Sequence, residues 1–451
     1  MCHPIHTKNY ARLLLTLAAC ASLFGACHNE AGLYPNFSTE ELEAEEARIE
    51  EEAQEEATRM SAFSASEQAR LIPNRSLVIR HLPVVNDPVR TQWTGNMTNP
   101  ADGAWHFGKL MSQMAGPKNT RAFTRRLFQS WAQDRRVNGE LVPGKPEVVN
   151  ILQQWPKRPG GALDMTKAPF RLLAIVNRMD LRRLSKGDAG EGRFVFGLVD
   201  PDGNPRDFWV ILEYKLPASN RAKVEGWARD WQDLSFLNPN SAAYKNKLQA
   251  ITNRFTKRNA RPGKPNGSAI AQIRTNEIMA GSWELREFGL NRHGHIVAKP
   301  VVNTPRKSFN GTPALASWIN RNTNHILNGS AGVPRVAKIG KRKRRFLGGA
   351  VTNNMDFWSA EGIQNATARH KFSLNTCNGC HGAETSTGFV HIGQRQQGEQ
   401  ASLSGFMTGI SVSDPVTGAV RNFNEFQRRK TDLLELLGPN ARMEAASGRV
   451  H

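Results

Sequence analysis

Near its C-terminal end the chain reads Cys377-Asn378-Gly379-Cys380-His381, reactive side chains at a spacing that suits one chemistry closely. Two thiols separated by two residues can each close a thioether to a haem vinyl group. A histidine directly after them is held beneath the ring, where its imidazole can ligate the iron. The expectation is one covalent haem c, with Cys377 and Cys380 as the thioether residues and His381 as the proximal ligand. With 5 Cys and 12 His in 451 residues, composition alone would supply such a pattern roughly 0.0015 times per chain. Two other uses compete. The pair could form half of a zinc site completed by His370, His381 or His391. It could also be a disulfide or redox pair, but such pairs open a helix after a strand, and Arg369–Asn375 contains no β-branched run.

The sixth position of the iron has two candidates, His391 in Phe389-Val390-His391-Ile392 and Met407 in Gly405-Phe406-Met407-Thr408, with His370 or an open site behind them. Ten extended residues span roughly 33 Å, so either main candidate can reach the far side of a ring. A thioether ligand would raise the potential relative to a second imidazole, and an open site would admit small ligands. A haem-dependent oxidoreductase is compatible with this, but no acid, base or nucleophile constellation marks a catalytic centre.

The N-terminus says where such chemistry would take place. Lys8 and Arg12 precede an apolar run from Leu13 to Leu17, and small residues then lead to Cys20 and Cys27. This reads as a signal peptide of lipoprotein type over residues 1–26, too short to span a bilayer. Cys27 is the expected acylated residue, with Cys20 as the alternative. Once the leader is removed, Cys377 and Cys380 have only each other, a metal or a haem, and no disulfide framework is possible. The expected location is outside the cytoplasm, held by the lipid anchor.

Charge narrows the partners. The net charge is +20 although Glu40–Glu56 alone holds ten glutamates against one arginine, so the body is strongly basic. Such a surface suits anionic lipid or an acidic redox partner protein. No zinc-finger, RNP-type or basic-zipper pattern supports nucleic acid. The acidic run, within residues 27–65, reads as a solvated tether. A body over 66–340 follows, of α+β class with mixed or antiparallel strands and amphipathic helices.

Strand patterns occur at Leu77–Val85, Phe170–Val176, Arg193–Val199, Phe208–Tyr214, Trp283–Phe288 and His295–Lys299, with a hairpin turn at Asp200–Asn204. Helical stripes run through Phe123, Leu127 and Trp131, then Val224 to Leu234, then Tyr244 to Phe255, and over Thr312–Asn328. Thr120 is the expected cap of the first. Lys341–Arg345 reads as a basic loop that ends the body. Residues 346–440 then form a small, mostly α, cytochrome c-like module, with a short helix near Phe357-Trp358 and another from Asn424 to Gly438.

The strings RLLAIVNRMDLR, GEGRFVFG, NGSAIAQIRTNEI, WELREF and FSLNTCNGCHGAETSTGFVHI together resemble a family of uncharacterised exported proteins of Gram-negative bacteria with a single C-terminal c-type haem motif. The resemblance covers roughly residues 70–437. It implies the haem residues, a location in the periplasm or outer membrane of a Gram-negative bacterium, and no further activity. The expected function is electron transfer by a monohaem cytochrome whose large accessory domain docks a partner or substrate. The alternative is a surface binding lipoprotein whose C-x-x-C-H is a structural zinc or disulfide site.

Overall fold

The structure is a computed structural model that describes residues 34–279, 281–439 and 441–444; the leader with Cys2, Cys20 and Cys27 lies outside them. An antiparallel sheet of eight strands organises the fold. Its strands are β1 (Val78–Ile79), β2 (Phe170–Arg178), β3 (Asp188–Val199), β4 (Pro205–Pro217), β5 (Ile270–Glu277), β6 (Trp283–Leu290), β7 (Ile296–Lys299) and, after the hairpin β8 (Val336–Ile339) and β9 (Arg342–Arg345), β10 (Val351–Asn353). Strands β1 to β6 lie side by side in chain order, and the outer edge of β6 is shared by β7 and β10. The longer helices are α1 (Thr39–Ser61), α2 (Phe107–Ala115), α3 (Thr120–Ala132), α4 (Arg221–Asp233), α5 (Ala242–Thr256), α6 (Pro313–Arg321), α7 (Ala366–Leu374) and α8 (Glu425–Leu437).

The two faces of the sheet differ because strand side chains alternate. Ile175, Phe194, Phe196, Val210, Leu212 and Ile273 point into one large core with α2, α3, α4 and α5. Their neighbours Val176, Val195, Trp209 and Ile211 face the other way, as do Arg178, Arg193, Glu213 and Arg274. A register shift between Leu172 and Ala174 lets both Leu173 and Ala174 join this second face. The cysteine motif sits over it.

Several expectations change at this point. Residues 346–440 do not stand apart as a module: β10 pairs with β6 inside the sheet, and α8 sends Leu433, Leu434 and Leu436 into the main core. The basic stretch at 341–345 is one strand of a hairpin, not a loop. Within Leu77–Val85 only Val78–Ile79 pairs as strand. Pro83, which has no N–H for a ladder, instead opens the helical turn Leu82–Val85. The helix over Thr312–Asn328 breaks at Asn322 into two. Asn119, not Thr120, caps α3. No helix forms at Phe357-Trp358, where the Trp358 N–H bonds to Ser373 Oγ at 2.8 Å.

The acidic segment is not a free tether. Ser38 and Glu41 form a capping box that starts α1, and the helix then docks on α7 and α8. Glu52 pairs with Lys371 at 2.6 Å, Arg59 with Glu435 at 2.7 Å, and Thr431 donates to Glu56 at 2.9 Å. Glu45 is buried, bonded to Thr367 and to the Arg421 guanidinium. Arg421 keeps a second carboxylate, Asp414 at 3.3 Å, so removing the Glu45 charge costs the charge-assisted bonds alone, about 2 kcal/mol. Glu45→Gln should lower the urea-unfolding free energy by about that amount, whereas a free tether would give a change under about 0.5 kcal/mol.

Candidate functional site

The motif is held by backbone and side chains from four directions. Thr376 caps the single turn Cys377–Cys380, accepting from the Gly379 N–H at 3.1 Å. The Cys377 N–H donates to Thr304 Oγ1 at 2.9 Å. Asn353, the last residue of β10, donates to the carbonyls of Asn378 (2.9 Å) and His381 (2.6 Å), and so ties the motif to the sheet. Trp358 Nε1 donates to Asn378 Oδ1 at 2.6 Å. A Cβ on Gly379 would lie 2.0 Å from the Ser373 carbonyl oxygen at the end of α7. The motif turn can pack there only with glycine.

Both thiols are buried and unoxidised, and they enter different apolar surroundings. Cys377 packs with Trp283, Leu285, Val301 and Val351, and Cys380 with Val176, Val195, Trp209, Phe406 and Met407. Burial pushes both thiols above their ordinary range. His381 lies between Trp283 (ring centroids 5.2 Å, stacked) and His391 (4.3 Å). Its Nδ1 is 2.7 Å from the Phe389 carbonyl oxygen. A carbonyl only accepts, so Nδ1 carries the proton and Nε2 the lone pair. Burial holds His381 down to about 4 and His391 well below its usual range. Both imidazoles are therefore neutral, as metal ligation requires. His391 has Nε2 3.3 Å from Cys380 Sγ and Nδ1 2.9 Å from Ser404 Oγ.

Between the motif segment and the sheet lies a cavity of about 90 Å³ that opens to solvent. This is smaller than the roughly 300–1,000 Å³ of a cofactor pocket, so a bound haem would require the segment 389–407 to stand further from the sheet. His381, His391 and Met407 line it from one side, and Val176, Trp209, Arg274 and Asn276 are among the residues of its floor. Arginines dominate its charge, each matched by acids. Arg178 pairs with Asp180 (2.8 Å), Arg193 with Glu191 (2.7 Å) and Glu213 (3.2 Å), Arg274 with Glu213 (3.2 Å), and Arg429 with Glu425 (3.0 Å). Burial pulls Arg429 down to about 10 and pushes Glu287 up to about 7. Burial also raises Glu191, but Arg193 and Lys215 outweigh it and hold that carboxyl at about 2.

These residues suit the group the motif implies. His381 presents a lone pair at Nε2, fixed by an outer hydrogen bond of the kind that orients ligating histidines. Three buried polar atoms on residues of the cavity floor lack a hydrogen-bond partner: Trp209 Nε1, Arg274 Nη2 and Asn276 Oδ1. Buried polar groups are normally satisfied. Two of the three are donors, which suits an anionic edge such as a propionate.

The zinc reading gains no such support. Among the described residues, the one set of three potential ligands within 4.8 Å of one another is His370, Glu384 and Asp414, with neither cysteine in it. That set is an ion network. The Arg369 guanidinium bonds to both carboxylates, Arg421 lies 3.3 Å from Asp414, and His370 Nδ1 is 2.7 Å from Glu384. His370 is thereby engaged by Glu384 and Asp414 and does not line the cavity.

Sequence reasoning located the motif, His391 and Met407 but missed the polar floor. The available signal was a set of charged residues (Arg178, Arg193, Glu213, Arg274) at alternate positions of otherwise apolar strands. No family model, curated protein or solved structure matches the chain. Among the described residues no helix is long and apolar enough to cross a membrane.

The depressed His381 gives a pH signature. An unfolded histidine protonates near pH 6.5. As pH falls, the unfolded chain therefore takes up the proton first, and stability is lost from about 6.5 down to about 4. For His381 this amounts to on the order of 3 kcal/mol. In the haem-free chain, His381→Gln should flatten the fall in urea midpoint between about pH 7 and pH 5 relative to the parent. Parallel slopes would mean that the imidazole is solvated.

Proposed function

We propose that this protein is an exported, lipid-anchored c-type cytochrome carrying one covalent haem, and that it passes single electrons to a redox partner. The observation that carries the reading is the convergence at His381. A C-x-x-C-H histidine with its proton fixed on Nδ1 faces a cavity whose floor contains unpartnered buried donors. Haem c supplies a one-electron couple when bound. Cys377 and Cys380 would hold it covalently and His381 would ligate through Nε2. Arg274 and Trp209 would donate to its acidic edge. The sheet and the segment 389–407 would exclude water, which tunes the potential through the local dielectric.

His391 is the sixth ligand in this reading. It is buried and neutral with Nε2 toward the motif, whereas Met407 Sδ lies 3.9 Å from an Arg429 nitrogen. The His391 ring centroid lies 4.3 Å from that of His381, so the two imidazoles would have to part for both to hold the same group. The alternative reading, a binding lipoprotein with structural zinc or a disulfide, would leave the protein colourless.

Exported in a host with haem c maturation machinery, the parent should give a c-type α band as its pyridine haemochrome, and Cys377→Ala/Cys380→Ala should give none. Absence of the band in the parent would end the cytochrome reading and turn attention to zinc content. In the haem-loaded protein, His391→Ala should convert the low-spin spectrum to high-spin while Met407→Ala leaves it low-spin. The reverse result would assign the methionine.

A further inference from the structure

From Phe288 to Met355 the chain contains no aspartate or glutamate and twelve lysines and arginines. Six of those twelve are concentrated in the hairpin of β8 and β9: Lys338, Lys341, Arg342, Lys343, Arg344 and Arg345. Residues 342–345 are all exposed. The hairpin register sets Lys338 directly opposite Lys343, a like-charge cross-strand pair that weakens the sheet. Among the described residues, no carboxylate comes within ion-pair distance of any of the six. A fold that pays this cost and leaves the charge unanswered presents it to something anionic.

The surroundings indicate what that is. Arg344 and Arg345 line a groove with Arg306, Phe309 and Thr312. The adjoining Lys307 pairs with Asp356 at 2.9 Å, and the Phe357 ring meets Tyr34 at a tilt, with centroids 6.1 Å apart. Phe37 packs against the same apolar cluster that receives Ala337, Ile339 and Phe346 from the hairpin. The start of the described chain therefore enters the fold on the hairpin's own substructure. Cys27 precedes Tyr34 by seven residues, a span of at most about 25 Å.

We propose that the β8–β9 hairpin is the membrane-facing surface of this protein and binds anionic lipid headgroups. The proposal rests on the export and acylation reading above, but not on haem. An acyl anchor at Cys27 would bring this substructure, and not the opposite side of the sheet, within reach of the bilayer. A lipid chain together with a basic patch is the pairing that gives stable peripheral binding. Each Lys or Arg near an anionic surface adds appreciably to that binding.

The test uses the chain from His28 onward, exported behind a leader that is not acylated, so that no lipid of its own contributes. It should float with phosphatidylcholine vesicles containing about one-third phosphatidylglycerol and not with phosphatidylcholine alone, and salt should release it. Lys341→Gln/Arg342→Gln/Lys343→Gln should lower the partition coefficient about a hundredfold. Lys223→Gln/Lys257→Gln/Arg258→Gln, exposed residues elsewhere with the same loss of charge, should change it little. Equal losses in both variants would overturn the proposal, because net charge alone would then explain binding. So would a parent that ignores anionic vesicles, which would leave an acidic protein as the partner of the patch. The haem band separates the two readings: a colourless parent that still floats refutes the cytochrome and keeps this surface.

Discussion

The structure depends on the cost of burying ionised groups on the second face of the sheet. Strand periodicity brings Arg178, Arg193, Glu213 and Arg274 to that face, and none of them tolerates burial without a counter-charge. The answer is a chain of pairs: Asp180 to Arg178 and Arg428, Glu425 to Arg428 and Arg429, Glu213 to Arg193 and Arg274. One of these pairs, Asp180 with Arg428, reaches α8 from 248 residues earlier in the chain, and two more lie within α8 itself. The C-terminal segment therefore completes the electrostatics of the sheet as well as its packing.

The same constraint explains α1. Arg369 and Arg421 are buried with Glu384 and Asp414 on the far side of α7, and Glu45 supplies a further carboxylate there. An acidic helix with almost no apolar stripe is recruited by buried cations. Composition reads such a helix as solvated, because its partners are more than 300 residues away.

Legibility followed the range of the interaction. Strands β2, β3, β4, β6 and β7 and helices α3, α4 and α5 were readable because their apolar positions repeat locally at period two or 3.6, whereas β5, whose alternate positions are Gln272, Arg274 and Asn276, was missed. Cys377, Cys380 and His381 were readable because the motif is contiguous. The N-cap at Asn119, the turn at Pro83 and the break at Asn322 were misread, since each depends on one hydrogen bond or one ring. The cavity floor was illegible for a different reason. Trp209 lies on β4 and Arg274 and Asn276 on β5, and only the register between the two strands makes all three neighbours of His381. Their unpartnered atoms are a property of the assembled site, with no counterpart in the linear chain.

The burial of the two thiols has a consequence for the order of events. Thiolate, not thiol, is the reactive form, and burial raises both cysteines above their ordinary range. In the closed structure Cys377 and Cys380 also belong to apolar clusters that reach the sheet itself. On the proposed haem reading, bonds to these sulfurs would form before the segment 377–407 closes over the sheet. Gly379 and Asn353 would act after that step, through the close approach to Ser373 and the two bonds to the motif carbonyls that hold the turn in place. In that order the sheet would provide a floor onto which the finished site settles, and the unpartnered donors of that floor would find their acceptor on closure.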